Sequence, residues 1–290
     1  MILGFDQYKV QAIALADALD MPFSTIELHR FPDGESKIKL PVPLPETIII
    51  CQTLHQPNDK LIELMLTCQT ARTHGVKRII LVAPYLCYMR QDIAFQPGEA
   101  VSQTLVGNFI GSLVDDVITV DPHLHRISHL GEAIPLKSAY SLTGAELMGQ
   151  FLQSQLSDAI LIGPDEESEQ WVSQVAIPCG FEFVVGHKIR HGDKDVEVEL
   201  PAFSYVDRSI VLVDDVISSG YTMAKAAKAL KQKGCGKIHA ICTHALLAPG
   251  AEALFNEHGI ETLWSTDSIP HASNIIPLAP LLADSIKAIW

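Results

Sequence analysis

The segment Ser209–Met223, SIVLVDDVISSGYTM, constrains the fold of this chain more than any other stretch. An apolar strand ends in two adjacent carboxylates, a short turn of Ser and Gly follows, and a helix opens near Thr222 and is stopped by Gly234. In open α/β sheets, ligands bind beyond the carboxyl ends of strands. The amide groups at a helix N-terminus attract phosphate, and small residues let the backbone come close to it. Asp214 and Asp215 would repel a bare phosphate, so they suit sugar hydroxyls or a nearby cation. A phosphorylated sugar satisfies both halves of the segment. The plainer alternative is that the acids cap a turn that Ser218, Ser219 and Gly220 merely punctuate, a costly way to build one.

The remaining sequence repeats the same grammar. Helical patterns over Lys9 to Leu19, Asp59 to Gly75 and Ser102 to Leu113 alternate with short apolar runs at Thr47 to Cys51, Arg78 to Ala83 and Val117 to Val120. A second series begins near Ser141. It contains helices over Gly144 to Gln155, Glu169 to Cys179, Thr222 to Lys233 and Ala248 to His258, with strands at Ala159 to Gly163, Phe183 to Val185, Ile210 to Val213 and Lys237 to Thr243. The expected class is α/β, with two domains, residues 1–140 and 141–290, each a mostly parallel sheet flanked by helices. A final helix near 278–290 is expected to fold back on the first domain.

Composition narrows the partners. Hydrophobic residues make up 48% and charged residues 19%, which excludes disorder. Lys and Arg total 21 against 34 Asp and Glu, a net charge of −13, so neither nucleic acid nor an anionic membrane is an expected partner. An anionic substrate then needs local cations or a metal. The six cysteines form no CxxC pair and read as reduced thiols. The start, MILGFDQYKVQ, has no basic segment leading into an apolar one, and the longest apolar stretch, Ile79 to Met89, falls short of a span of ~20 residues. The expected location is cytoplasmic.

Several further motifs stand in one order: Arg30-Phe31-Pro32-Asp33-Gly34-Glu35, Asn58-Asp59-Lys60-Leu61-Ile62-Glu63-Leu64, Pro84-Tyr85 through Arg90-Gln91-Asp92, Asp121-Pro122-His123, Gly163-Pro164-Asp165, Lys188-Ile189-Arg190, and a tail of Thr243-His244 and Ser265 to Pro270. Taken with the Asp214-Asp215 segment, which looks like the phosphoribosyl pyrophosphate loop of the type I phosphoribosyltransferase fold, the whole chain resembles the ribose-phosphate diphosphokinases. That resemblance implies two phosphoribosyltransferase-like domains and transfer of the β,γ-diphosphoryl group of ATP to the C1 hydroxyl of ribose 5-phosphate, with Mg²⁺ as cofactor, in a homo-oligomer. It implies that Phe31, Asp33 and Glu35 reach the ATP of a neighbouring subunit, that Arg90, Gln91 and Asp92 bind ATP, and that His123 and Asp165 are metal-site residues. By the same resemblance Lys188 and Arg190 are the catalytic cations. Asp214 and Asp215 meet the ribose, and Ser218, Ser219, Gly220, Tyr221 and Thr222 cradle the 5-phosphate.

Several assignments have a plain competitor. Arg30 to Glu35 also reads as a Pro/Gly β-turn, His123 as a structural histidine, and the alternating Lys188 and Arg190 as a solvated strand face. The charged run His191 to Glu199 reads as an exposed hairpin. Four places depart from the family pattern: Ile93-Ala94-Phe95 where basic residues are usual, Glu166-Glu167-Ser168 where a Gly pair is usual, Ser218 in place of an acid, and Tyr221 in place of a small residue. The rival functions are a phosphoribosyltransferase using the same loop and a catalytically silent regulatory homologue.

Overall fold

The computed structural model describes residues 1–124, 126–190 and 196–290, with the side chains of 188–190 and 196–198 outside that set. The chain divides into two compact units, Met1–Leu142 together with Leu278–Trp290, and Thr143–Pro277. In the first, chain order is β1 (Ile2–Gly4), α1 (Lys9–Leu19), β2 (Phe23–Thr25), β3 (Glu27–Arg30), β4 (Ser36–Lys39), β5 (Thr47–Cys51), α2 (Pro57–Thr73), β6 (Arg78–Val82), α3 (Ser102–Leu113), β7 (Asp116–Val120), α4 (Leu130–Ala133) and β8 (Ser138–Leu142). In the second it is α5 (Ala145–Gln155), β9 (Ile160–Gly163), α6 (Glu169–Cys179), β10 (Glu182–Val185), β11 (His187–Arg190), β12 (Val196–Glu199), β13 (Ile210–Ile217), α7 (Tyr221–Gln232), β14 (Ile238–Ala245), α8 (Ala251–Glu257), β15 (Ile260–Thr266) and β16 (Asn274–Ile276). Helix α9 (Ala279–Ile289) belongs to the first unit, where it packs on α1 and its Ile289 carbonyl accepts a 3.1 Å hydrogen bond from Arg78.

Each unit is built on a six-stranded sheet, ordered β2-β1-β5-β6-β7-β8 and β10-β9-β13-β14-β15-β16. Every pairing within both is parallel. A parallel sheet with helices on its faces buries its central strands on both sides, so those strands read as continuous apolar runs rather than alternating ones. Ile48, Ile49 and Ile50 of β5 and Ile210 through Val213 of β13 are accordingly inaccessible to solvent. Each such aliphatic side chain contributes about 1.5–3 kcal/mol by leaving water. The hairpins β3–β4 and β11–β12 are antiparallel and stand apart from the main sheets.

In the second sheet the chain runs from β9 outward to β10, then returns to place β13 on the other side of β9. That reversal makes the β9–β13 boundary the switch point, the place where open α/β sheets take their ligands.

Candidate active site

The sequence reading stops β13 at Val213, but the strand continues through both acids to Ile217. Its ladder with β14 persists through Val216↔His244 and Ile217↔Ala245, and the apolar Val216 and Ile217 are buried. The pairing with β9 is already over at Leu212↔Ile162. Asp214 and Asp215 therefore sit in a rigid strand and not in a turn. Asp215 is 2% exposed, and its carboxylate accepts a 2.8 Å hydrogen bond from the Val216 amide. Asp214, half-buried, accepts one from the Asp215 amide at 3.0 Å.

After β9, Asp165 takes an extended conformation ahead of the short turn Glu166–Ser168, and the amide of the buried Ser168 returns 3.1 Å to the Asp165 carbonyl. Gly163 is required there, since a Cβ would come within 2.5 Å of the Ser168 hydroxyl oxygen. The switch point thus gathers acid from both strand ends. Desolvation, then the charge of Asp215, then that of Asp165, push the Asp214 carboxyl well above the ordinary range. Behind it in register lies Cys242, a buried thiol whose ionisation is likewise pushed up by desolvation and by Asp214.

Beyond Ile217, the carbonyls of Ile217 and Ser218 accept from Leu247 and Ala248 at 3.1 and 2.9 Å, pinning one side of the loop. The amides of Ser218 through Thr222 donate to no acceptor among the described residues, as expected where a turn runs into the first turn of a helix. Gly220 has φ +76°, and a Cβ there would lie 2.6 Å from the Phe255 ring. Only glycine meets both demands. Tyr221 is 63% exposed at the mouth of the loop.

Lys188 and Arg190 lie on β11, with backbone partners Val198 and Val196 on β12; their side chains, and residues 191–195 of the charged run, lie outside the described residues. His187, which precedes them, is 2.8 Å from the Glu166 carboxylate. That contact, the Phe255 wall and the Ser168 turn are not evident in the sequence, because each joins residues distant along the chain or rests on one ordinary-looking side chain.

In the first unit, Phe31, Asp33 and Glu35 form the exposed tip of the β3–β4 hairpin. A Phe31 amide to Glu35 carbonyl bond of 2.8 Å closes it, Asp33 accepts from the Glu35 amide at 3.1 Å, and Gly34 turns the chain at φ +95°. Phe31 meets His29 edge to face at 4.8 Å and remains 41% exposed. Arg90, Gln91 and Asp92 follow the carboxyl end of β6, where the Gln91 carbonyl accepts from Gln103 of α3 at 3.1 Å. The Asp92 side chain is only 3% exposed and pairs with Arg126 at 2.6 Å, an anchor for the loop after β7. His123 stands in that loop at φ +51°, two residues after Asp121 at φ +40°. Such left-handed, non-glycine backbone gathers at functional sites.

Among the described residues, no three His, Cys, Asp or Glu side chains are placed to hold a metal unaided, and no helix is long and apolar enough to cross a membrane. None of the six cysteines forms a disulfide among the described residues.

Paired parallel sheets, with an acid pair and an open amide loop at the switch point of the second, define the class: a chain of two type I phosphoribosyltransferase-like domains. Residues 1–113 match the N-terminal domain of ribose phosphate pyrophosphokinase and residues 139–267 the phosphoribosyl transferase domain. A ribose-phosphate pyrophosphokinase of Methanopyrus kandleri is 34% identical over 280 residues, covering 94% of each chain, and that of Halobacterium salinarum is 31% identical over 290 residues, covering 99% of this chain and 100% of its own. The phosphoribosylpyrophosphate synthetase structure from Mycobacterium smegmatis shares the fold, with a TM-score of 0.85 over 100% of this chain and 98% of its own at 20% identity. The chain belongs to the ribose-phosphate pyrophosphokinase family.

Proposed function

We propose that the chain transfers the β,γ-diphosphoryl group of ATP to the C1 hydroxyl of ribose 5-phosphate. The C1 oxygen bonds to the β-phosphorus, the bond from that phosphorus to the α,β-bridging oxygen breaks, AMP departs, and the hydroxyl proton is lost. The observation that carries this reading is the pairing of Asp214-Asp215 with unsatisfied amides at 218–222 on one strand end, within a chain related to ribose-phosphate pyrophosphokinases along nearly its full length. The amides hold the 5-phosphate. Asp215 and Asp214 accept from the ribose hydroxyls, and those contacts fix C1 relative to the incoming phosphate.

Oxygen donors at Asp165, Asp214 and Asp215 suit a hard divalent cation, and such a cation would offset the burial, and the repulsion beside it, that raise the Asp214 carboxyl. Mg²⁺ characteristically uses one or two carboxylates together with substrate phosphates and water. Asp165 is the carboxylate we assign to it, and His123, a nitrogen donor, acts through water. When bound, the ion supplies charge neutralisation on the phosphates in transfer.

Lys188 and Arg190 add positive charge to the diphosphoryl group as it moves. Arg90 and Gln91 take the nucleotide, while Asp92 supports that loop through Arg126. Phe31, Asp33 and Glu35, exposed at a hairpin tip, complete the ATP site of a neighbouring copy, so the working form is a homo-oligomer. The test is one incubation with ATP, Mg²⁺ and ribose 5-phosphate. AMP formation supports diphosphoryl transfer; ADP would mark a simple kinase, and no turnover a silent homologue.

A further inference from the structure

The motif Asn58 to Leu64 carries no role in the reaction proposed above, yet it forms the first turns of α2 and bonds residues that flank both segments assigned to ATP. Arg30 ends β3 and Ser36 begins β4, and the two are register partners at the base of the 31–35 turn. The Arg30 guanidinium spans α2, bonding Asp59 with one nitrogen and Glu63 with another at 2.7 Å. The Ser36 hydroxyl reaches the same Glu63 oxygen at 3.3 Å. Glu63 is thus held from both strands of the hairpin, and its side chain is 0% exposed.

Five residues earlier in the same helix, Asn58 accepts a hydrogen bond from the hydroxyl of Tyr88, which stands at φ +61° two residues before Arg90. Between them Lys60 donates to the Thr53 carbonyl at 3.0 Å and lies 3.1 Å from His55. A surface ion pair contributes little, but a pair with one buried member holds its geometry, because separation would strand that charge away from water.

We infer that Glu63 is a positioning residue that fixes the 31–35 hairpin tip through Arg30 and Ser36, from the same helix end that holds the Arg90 loop through Asn58 and Tyr88. The inference rests on the reading that the hairpin tip serves ATP. Glu63→Gln keeps the size of the side chain and removes the charge; Arg30→Lys keeps the charge and loses the fork that spans two carboxylates. Either should raise KM for ATP about tenfold, on the order of the 1.4 kcal/mol that a factor of ten represents. The KM for ribose 5-phosphate and kcat should stay within about twofold. The double variant should be no worse than the poorer single one, since both cut one clamp.

Hydrogen exchange on the full chain gives a readout separate from activity. The amides of Phe31, Gly34 and Glu35 are bonded in the turn and should exchange faster in Glu63→Gln, with the segments around β13 unchanged. Unchanged exchange in the hairpin, or an equal rise in both KM values, overturns the inference. If Glu63→Gln does not fold, Ser36→Ala, which leaves no buried charge unpaired, should show the same changes in smaller measure, and parental behaviour in that variant overturns it. Failure of the parent chain to form AMP would overturn the functional reading instead, leaving the exchange result to decide the clamp.

Discussion

Asp214 is the residue at which stability and function oppose each other most plainly. Its carboxyl is raised above the ordinary range in the folded state, so the folded chain holds that proton more tightly than the unfolded one. The stability linked to it is complete below the unfolded pKa of about 3.9 and is lost as pH rises through the raised value. Asp214→Asn removes that loss while keeping an acceptor for the Asp215 amide. Thermal melts of the ligand-free chain should therefore show the variant more stable than the parent at neutral pH, with the difference fading on acidification, and ribose 5-phosphate binding weakened. A variant less stable than the parent at neutral pH would show that neither the burial of this carboxylate nor its repulsion costs stability. Gly220 is the second such residue. Gly220→Ala should lose about 1–2 kcal/mol from left-handed backbone alone, with more from the Phe255 ring. Gly220→Ala with Phe255→Leu should recover part of the stability in melts, and no recovery would mean that the ring is not the obstacle. The glycine and the acid pair were legible as types in the sequence. Phe255, Ser168 and the Arg126 partner of Asp92 were not, because nothing local marks a side chain whose importance lies in what it faces.

At the level of elements, most of the longer central strands and helices were legible because burial on both faces writes the strands as unbroken apolar runs and because glycines end helices at Gly180 and Gly234. Errors concentrate where tertiary pairing outranks local pattern. Two acids look like the end of β13, yet the β14 ladder carries the strand four residues further. Pro249 and Gly250 delay α8 to Ala251, against an expected start at Ala248. Strands β1, β8, β15 and β16 pass unread, since Ile2–Gly4 and Asn274–Ile276 are only three residues long and Ser138–Leu142 and Ile260–Thr266 mix polar and half-buried positions. The β11–β12 hairpin carries the prediction at this scale. Lys188 and Arg190 stand at alternate positions of β11, and a contact made only in the transition state lowers kcat and spares KM. Loss of either cation should cost on the order of 10² to 10³ in kcat. A Lys188→Ala enzyme with tenfold higher KM for ATP and parental kcat would make the residue a ground-state phosphate anchor.

For the whole molecule, the account depends on assembly and on the direction of group transfer. Function was legible because many short motifs occur in one order along 290 residues; how copies assemble was not, because a chain carries no local mark of what its surface faces. Mixing inactive Glu35→Ala with inactive Arg90→Ala subunits should restore part of the activity, since mixed assemblies contain sites lacking neither group. No recovery, with mixed oligomers verified by mass spectrometry, would place both groups in one subunit. The direct measurement is to follow ATP labelled with ³²P at the β-position, together with Mg²⁺ and ribose 5-phosphate, through anion-exchange separation. The account predicts that the label leaves the nucleotide entirely and appears in the sugar product as unlabelled AMP accumulates; label retained in ADP, or left in unreacted ATP, would contradict it.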